Sequence, residues 1–503
     1  MNWKKTEKWL VPLLVLAGVV VRFVQLPFSC IWLDEAFSIK LAKEPLVEIV
    51  RMLSSDNGSP LFYFILHGWM QLFGDGEYVL TTLTILLDCA MLAAIPFMLR
   101  ELFADSRIRI TGTACAAFCL PCLHQATNLR YYSLMVLCAV LSWLFFYRAL
   151  RRGTMLDGML FVFFSVAGFY AHTFYLFVPL SQFFVLAAFY HRRLRAGFMV
   201  SMFLLAGMTL WLPSLALQVA GYLSGSTPET VPELVRYNGA FGAYLLSISS
   251  QMLALDSIKL FRMVVAAMLW LFVFFQLVRN RSRTVDDRHA GELFSAHLAS
   301  VGVIVLVSMI RPIFWLDKMD LIGLPLVCAL TGYAVSKFRF STAALALLIA
   351  INLIGTAYYL SWRITGKLTE QRDVIAQLGL EISPEDAVVE TGISHFTVEY
   401  YMGQMKIRTG PRYVFPEAQM TRPSCIDPKK LLENQRELTQ EAADLVQILG
   451  NGAGRIYVFY SPYAGLEPLY IKLNAAFVLD RTIPVRQHPW GPAYTRVDVY
   501  RRR

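Results

Sequence analysis

Charge is scarce in this chain. Only 16% of its 503 residues are Asp, Glu, Lys or Arg, where a soluble domain carries about 25%. The few charges gather in short clusters between long apolar runs, and 56% of the residues are hydrophobic. Glycine-rich phosphate loops and dinucleotide fingerprints are absent too. Gly450-Asn451-Gly452-Ala453-Gly454 precedes a strand pattern instead of joining strand to helix, so it reads as a turn. Nucleotide-dependent chemistry thus lacks its usual pocket. Cysteine offers no disulfide framework: most of the eight lie in apolar runs, and Cys425 stands alone in the C-terminal region. Cys115, Cys119 and Cys122 have a helical rhythm and read as small buried residues, not zinc ligands. The sequence contains no internal repeat and no low-complexity segment.

What is present is a series of apolar stretches. Segments of about 20 apolar residues fit spans near 9–28, 78–99, 108–126, 131–149, 156–171, 173–190, 197–217, 259–278, 294–311, 320–336 and 341–362. The predicted class is an α-helical integral membrane protein with about 11 transmembrane helices. Lys4, Lys5 and Lys8 precede the first run, which is long enough to span and has no small-x-small cleavage site after it. The net charge of +10 points to no nucleic-acid partner, because Arg and Lys concentrate in alternate linkers. Arg100, Arg107 and Arg109, then Arg148, Arg151 and Arg152, then Arg192 and Arg193, and finally Lys337 and Arg339 mark cytoplasmic loops. This places the N-terminus inside, as expected of a multi-pass protein of a bacterial inner (plasma) membrane, and sends the chain after Trp362 outside.

The expected organisation is a membrane domain over 1–364, with an acidic first outer loop at 29–77, and an extracytoplasmic α/β domain over 365–503. In the latter, 374–378 is helical in rhythm, while 387–389, 455–460 and 496–500 read as strands. The stretch 221–251 reads as an outer loop, with Pro228 and Pro232 breaking any helix. The first outer loop gathers Asp34, Glu35 and Asp56. Between them Pro45 suits a first helical position, and Leu46, Ile49, Val50 and Leu53 recur at the spacing of an interfacial helix. The segment Leu61–Phe73 is too short to span and is expected along the outer interface. Arg130, Lys259, Arg262, Arg311 and Lys318 break the positive-inside rule by falling at outer span ends. Each suits a lipid headgroup; together, beside an acidic loop, they suit a lipid-linked phosphate.

Trp32-Leu33-Asp34-Glu35-Ala36, then Asp56, Pro60-Leu61-Phe62-Tyr63, His67-Gly68-Trp69 and Phe73-Gly74 resemble the opening of family 39 glycosyltransferases. That group has the GT-C fold and includes protein O-mannosyltransferases and lipid A aminoarabinose transferases. Asp56-Asn57-Gly58-Ser59-Pro60-Leu61 stands where members commonly read Asp-x-His-Pro-Pro-Leu. Arg130-Tyr131-Tyr132 is similar to the family's Arg-x-Tyr, and Tyr170-Ala171-His172-Thr173 to a Tyr-x-His element. Arg311-Pro312 through Lys318-Met319 to Pro325 occupies the place of a Pro-rich turn, an Arg-Tyr pair and a later Pro.

The resemblance implies transfer of a sugar from a polyprenyl-phosphate donor to an acceptor hydroxyl of a lipid, glycan or protein, with inversion. Asp34 is then the expected general base. Glu35 and Asp56 orient the acceptor or hold a divalent cation, a metal being otherwise unassigned. Arg130, Tyr131, His172, Lys259, Arg311 and Lys318 are the expected substrate-binding residues. Asp88, near the middle of the second span, is costly there unless protonated or paired with a neighbour such as Arg22. It is the main argument for the alternative, a polytopic lipid or glycan transporter or flippase. A membrane scaffold displaying the C-terminal domain is the non-catalytic alternative.

Overall fold

The computed structural model describes residues 2–503 apart from 55–57, 194–201, 224–232, 255–258, 281–283, 310–314, 366–369, 393, 418–434, 453, 462–465 and 486–493. Asp56 and Arg311 therefore lie outside the described residues.

The membrane region begins with α1 (Trp3–Val24), α2 (Leu33–Ala42), α3 (Leu46–Ser54), α4 (Pro60–Phe73) and α5 (Glu77–Leu102). It continues through α6 (Ser106–Ala117), α7 (Leu120–Ala126), α8 (Tyr132–Arg152), α9 (Met155–Ala171) and α10 (Phe177–Phe189). Next come α11 (Met202–Ala220), α12 (Glu233–Met252), α13 (Lys259–Asn280), α14 (Val285–Val307), α15 (Met319–Lys337) and α16 (Ser341–Thr365). Among the described residues, eight helices are long and apolar enough to cross a membrane; the chain is a multi-pass membrane protein. Three expected spans differ from the sequence reading. Those at 156–171 and 173–190 are the shorter helices α9 and α10. That at 108–126 is broken into α6 and α7, because Phe118 leaves helical geometry and Pro121 opens the next helix.

Two further expectations are corrected. Part of the stretch read as an outer loop at 221–251 is helix α12 (Glu233–Met252). Its two prolines precede the helix, and Ser249 and Ser250 turn their hydroxyls back onto the carbonyls of Leu246 and Ser247. Asp34 and Glu35, read as loop residues, sit in the first turn of α2, where carboxylates favour the helix dipole. The segments expected as a short helix after Pro45 and as a run too short to span are the helices α3 and α4, with Ile49 and Leu53 of α3 turned inward.

Helices α6 and α15 approach closely because glycines face backbone. A Cβ on Gly332 would meet the Ile108 carbonyl at 2.4 Å, and one on Gly112 the Cys328 carbonyl at 2.9 Å. Such small-residue contacts are how helices pack where lipid provides no hydrophobic drive. Inside this bundle Arg22 pairs with Asp88, both essentially unexposed. The guanidinium also donates to the carbonyls of Gly18 (2.9 Å) and Ala117 (3.0 Å), so the mid-membrane carboxylate has a dedicated partner.

One end of the bundle collects the basic linkers. Glu7 holds Arg109 (2.5 Å) and Arg100 (3.3 Å), and Asp287 holds Lys337 (2.6 Å). Glu101 faces Arg148, Arg151 and Arg152. The opposite end carries α2–α4, the α7–α8 turn and the segment before α15.

The C-terminal region adds α17 (Glu370–Leu378), α18 (Ser394–Gln404), α19 (Gln435–Asn451) and α20 (Glu467–Ala476) around a sheet. Its strands are β1 (Ala387–Thr391), β2 (Arg412–Phe415), β3 (Ile456–Tyr460), β4 (Phe477–Pro484) and β5 (Arg496–Arg502), in the order β2-β1-β3-β5-β4. β1 runs parallel to β2 and β3, with Val389 opposite Tyr413 and Val458; β5 is antiparallel to β3 and β4. The parallel strands β1 and β3 are nearly continuous apolar runs, as burial on both faces demands. Leu438, Leu445, Leu449, Leu469 and Leu473 close one face.

Candidate active site

The site grows from the N-terminus of α2. Trp32 is the N-cap, and its backbone N–H donates to Glu35 Oε2 at 2.9 Å. The other oxygen, Oε1, accepts the N–H of Leu129 at 2.5 Å. Glu35 is 2% exposed, and burial pushes its pKa up to about 8 against the pull of those two N–H groups. Its side chain is thus held inward as a brace between α2 and the α7–α8 turn. A small cleft beside it is lined by Ser29, Trp32, Asn128, His124 and Arg363.

Asp34 is partly exposed on the same first turn. Its backbone carbonyl accepts Ser38 Oγ (2.8 Å) and Arg130 Nη1 (3.3 Å), which leaves the carboxylate outside these bonds. Arg130 Nη1 also donates to Ser38 Oγ (3.1 Å) and Tyr63 Oη (3.3 Å). Its guanidinium lies 5.1 Å from the Tyr131 ring centroid, within cation–π range. Arg130 Nε is buried without a hydrogen-bond partner among the described residues.

Aromatic rings carry the cluster onward. Tyr131 lies 4.6 Å from Tyr132 and 4.5 Å from His172, centroid to centroid. Lys318 Nζ stands 6.0 Å from the Tyr132 ring and 5.3 Å from Trp315. The turn beneath Lys318 is pinned twice. Gln125 Nε2 donates to the Asp317 carbonyl (2.8 Å), and Lys318 N–H donates to Asp320 Oδ1 (3.1 Å). Asp317 takes a left-handed conformation, φ 60°, which Asp tolerates better than most residues. His172 accepts the Phe174 N–H on Nδ1 (3.1 Å), and burial beside the Arg130 charge pushes its pKa down to about 3. It is a neutral packing partner of Tyr131 at physiological pH.

The structure therefore brings together Asp34, Glu35, Arg130, Tyr131, His172 and Lys318. Lys259 opens α13 with its side chain exposed and takes no part in the bonds just described. Among the described residues, which do not include Asp56, no three His, Cys, Asp or Glu side chains gather as a metal set. Sequence reasoning passed over Ser38 and Tyr63 as site residues. Ser38 stands one helical turn after Asp34, a spacing that points to it; Tyr63 had been noted only as a motif letter.

The sequence matches no family model and no curated protein. Solved structures do resemble it. ArnT from Cupriavidus metallidurans in the apo state gives a TM-score of 0.61 at 13% identity, over 97% of each chain. The same protein bound to undecaprenyl phosphate gives 0.59 at 13% identity, again over 97% of each chain. The apo oligosaccharyltransferase from Archaeoglobus fulgidus gives 0.49 at 10% identity, over all of this chain and 75% of its own. The likeness to ArnT runs through the membrane helices and the C-terminal sheet alike, and the chain has the GT-C fold.

Proposed function

We propose that this protein is a membrane glycosyltransferase that moves a sugar from a polyprenyl-phosphate donor to an acceptor hydroxyl. The observation that carries the reading is the juxtaposition of Asp34 with Arg130, continued through Tyr131 and Tyr132 to Lys318. A base and two cations at one end of a membrane bundle suit a donor whose leaving group is a lipid phosphate. The ArnT structure bound to undecaprenyl phosphate supports that donor class by its shared fold.

In this reading the Asp34 carboxylate takes the proton of the acceptor hydroxyl as its oxygen attacks the anomeric carbon. The new glycosidic bond forms while the bond from that carbon to the phosphate oxygen breaks, and the phosphate leaves with the electron pair. Attack opposite the leaving group inverts the anomeric centre. Arg130 presents a rigid fork and Lys318 a point charge to the departing phosphate; preorganised cations in a partly dry site are worth several kcal/mol. Tyr131, Tyr132 and His172 hold the two cations apart at a fixed separation. Glu35, spent on two backbone N–H groups, positions Asp34 and does not exchange protons with substrate.

The site is read as facing the outer side of a bacterial inner membrane, because the basic linkers occupy the other end. The acceptor class is a lipid, glycan or protein bearing a free hydroxyl at that surface. Purified protein incubated with a synthetic polyprenyl-phosphate sugar and an envelope extract is expected to consume the donor, and mass spectrometry of the products names the acceptor. Failure to consume any polyprenyl-phosphate sugar, across hexose and pentose donors, overturns the reading.

A further inference from the structure

The C-terminal region touches the acidic helix directly. The Tyr401 hydroxyl accepts the backbone N–H of Ile31 at 2.7 Å and donates to Glu77 Oε1 at 3.0 Å. It also lies 3.2 Å from Cys30 Sγ. One phenol thus accepts from the backbone three residues before Asp34 and spends its single donor on Glu77 at the start of α5. Glu77 in turn holds Arg372 of α17 at 3.2 Å, so the ion pair anchors the phenol's partner from the same region.

Neighbouring residues of α18 repeat the pattern. Tyr400 Oη donates to the Asp75 carbonyl (3.1 Å), and Gln404 Nε2 donates to Asp75 Oδ1 (3.0 Å). Asp75 also receives Lys43, from the end of α2, at 2.7 Å. The Phe396 ring packs edge-on against Phe37 of α2 at 5.5 Å, and Glu399 pairs with Lys40 at 2.9 Å. These contacts land on α2 and the residues flanking it, on Asp75 and on Glu77 at the start of α5. Arg130, Tyr131, Tyr132 and Lys318 are absent from these bonds.

We propose that α18 is a clamp on the acidic helix, with Tyr401 as a positioning residue that fixes the backbone from which Asp34 projects. This rests on Asp34 acting as the base. At the N-terminus of α2 the Trp32 N–H is tied by Glu35 from within. The bond from Ile31 N–H to Tyr401 supplies the outer tie, and Ile31 is 1% exposed, so water cannot replace the phenol without opening the interface. Displacing a reacting group by about 1 Å costs on the order of 100-fold in rate. The clamp therefore acts on turnover more than on donor binding, because Arg130 and Lys318 are carried by other elements.

Cys30 provides a reporter independent of any activity. It is buried beside the phenol, with its pKa pushed up to about 12 by that burial, so it resists alkylation while the clamp is closed. The experiment uses full-length protein in detergent and compares wild type, Tyr401→Phe and Arg481→Ala. Arg481 pairs with Glu381 inside the C-terminal region and serves as the control. Alkylation of Cys30 is read at the peptide level by mass spectrometry, and transfer kinetics are measured alongside.

Tyr401→Phe is expected to speed Cys30 alkylation severalfold and to lower kcat by roughly 10–100-fold with the donor KM unchanged, while Arg481→Ala matches wild type. Unchanged alkylation, or faster alkylation with unchanged kcat, overturns the clamp. Should Tyr401→Phe fail to fold, Tyr400→Phe with Gln404→Ala unties only the Asp75 side and is read by the same two measurements. A wild-type protein that transfers no sugar overturns the proposed function instead, and the alkylation contrast still decides whether α18 holds the Cys30–Ile31 backbone.

Discussion

Glu35 Oε1 accepts the backbone N–H of Leu129 at 2.5 Å, across 94 positions of sequence. That bond fixes the helix carrying Asp34 against the turn carrying Arg130. The two residues at the centre of the site are therefore set by a third that faces neither solvent nor substrate, and each role can be tested apart.

Asp34→Asn keeps the side chain's size and removes its basicity. Transfer is expected to fall by about 10²–10⁴-fold, with donor binding retained, in an assay that pairs turnover with donor titration. Near-normal turnover would hand the role to another carboxylate, Asp56 first.

Arg130→Ala removes a group that touches Asp34, Ser38 and Tyr63 at once, and Lys318→Ala removes the second cation. Each is expected to cut donor use on the order of 100-fold, the scale of one preorganised electrostatic contact. Arg192→Ala, among the basic linkers at the other end, is the control. Equal losses in all three would make Arg130 and Lys318 ordinary anchors.

Glu35 links stability to pH in an unusual direction. Its folded-state pKa is raised to about 8, above the usual carboxylate value near 4.3, so the unfolded chain gives up this proton first. The contribution of Glu35 is fully present below about pH 4.3 and is lost as pH rises through about 8. Melting temperature in detergent should fall over that window, and Glu35→Gln should flatten the slope while lowering stability by about 1 kcal/mol through one lost N–H acceptor. A wild-type profile as flat as that of the variant counts against the assignment.

Orientation has its own test. A reporter active only outside the cytoplasm, fused after Arg503, is expected to be active, since the basic linkers cluster at the end away from Asp34 and the C-terminal sheet. Silence from it, with a working cytoplasmic reporter at the same position, reverses the topology.

Much of the membrane architecture was legible because apolar runs of span length have one physical meaning. Asp34, Arg130 and Lys318 were singled out on other signals: Arg130 and Lys318 as cations against the positive-inside pattern, Asp34 by its place after the first span and the family resemblance. The structure sets the three at one end of the bundle. Glu35 read as an acid that orients the acceptor or holds a cation, because nothing local distinguishes a side chain that meets Leu129 far along the chain. Helix α12 was missed because its prolines lie just upstream of it, and its small polar residues suit a buried helix as well as a loop. Strand β4, Phe477–Pro484, carries Asp480, Arg481 and Thr482 along a largely exposed surface, and only pairing with β5 makes it a strand. The Tyr401–Ile31 bond has no local signature whatever.

The Arg22–Asp88 pair has a consequence for how the chain enters the bilayer. An arginine in the first helix is a poor passenger in lipid by itself, and its partners arrive late: Asp88 on α5, then the carbonyls of Ala116 and Ala117 at the end of α6. Until roughly the first quarter of the chain has been synthesised, α1 offers its guanidinium only one acceptor of its own, the Gly18 carbonyl. Biogenesis must then retain the early helices together at the insertion machinery and release them as one packed unit.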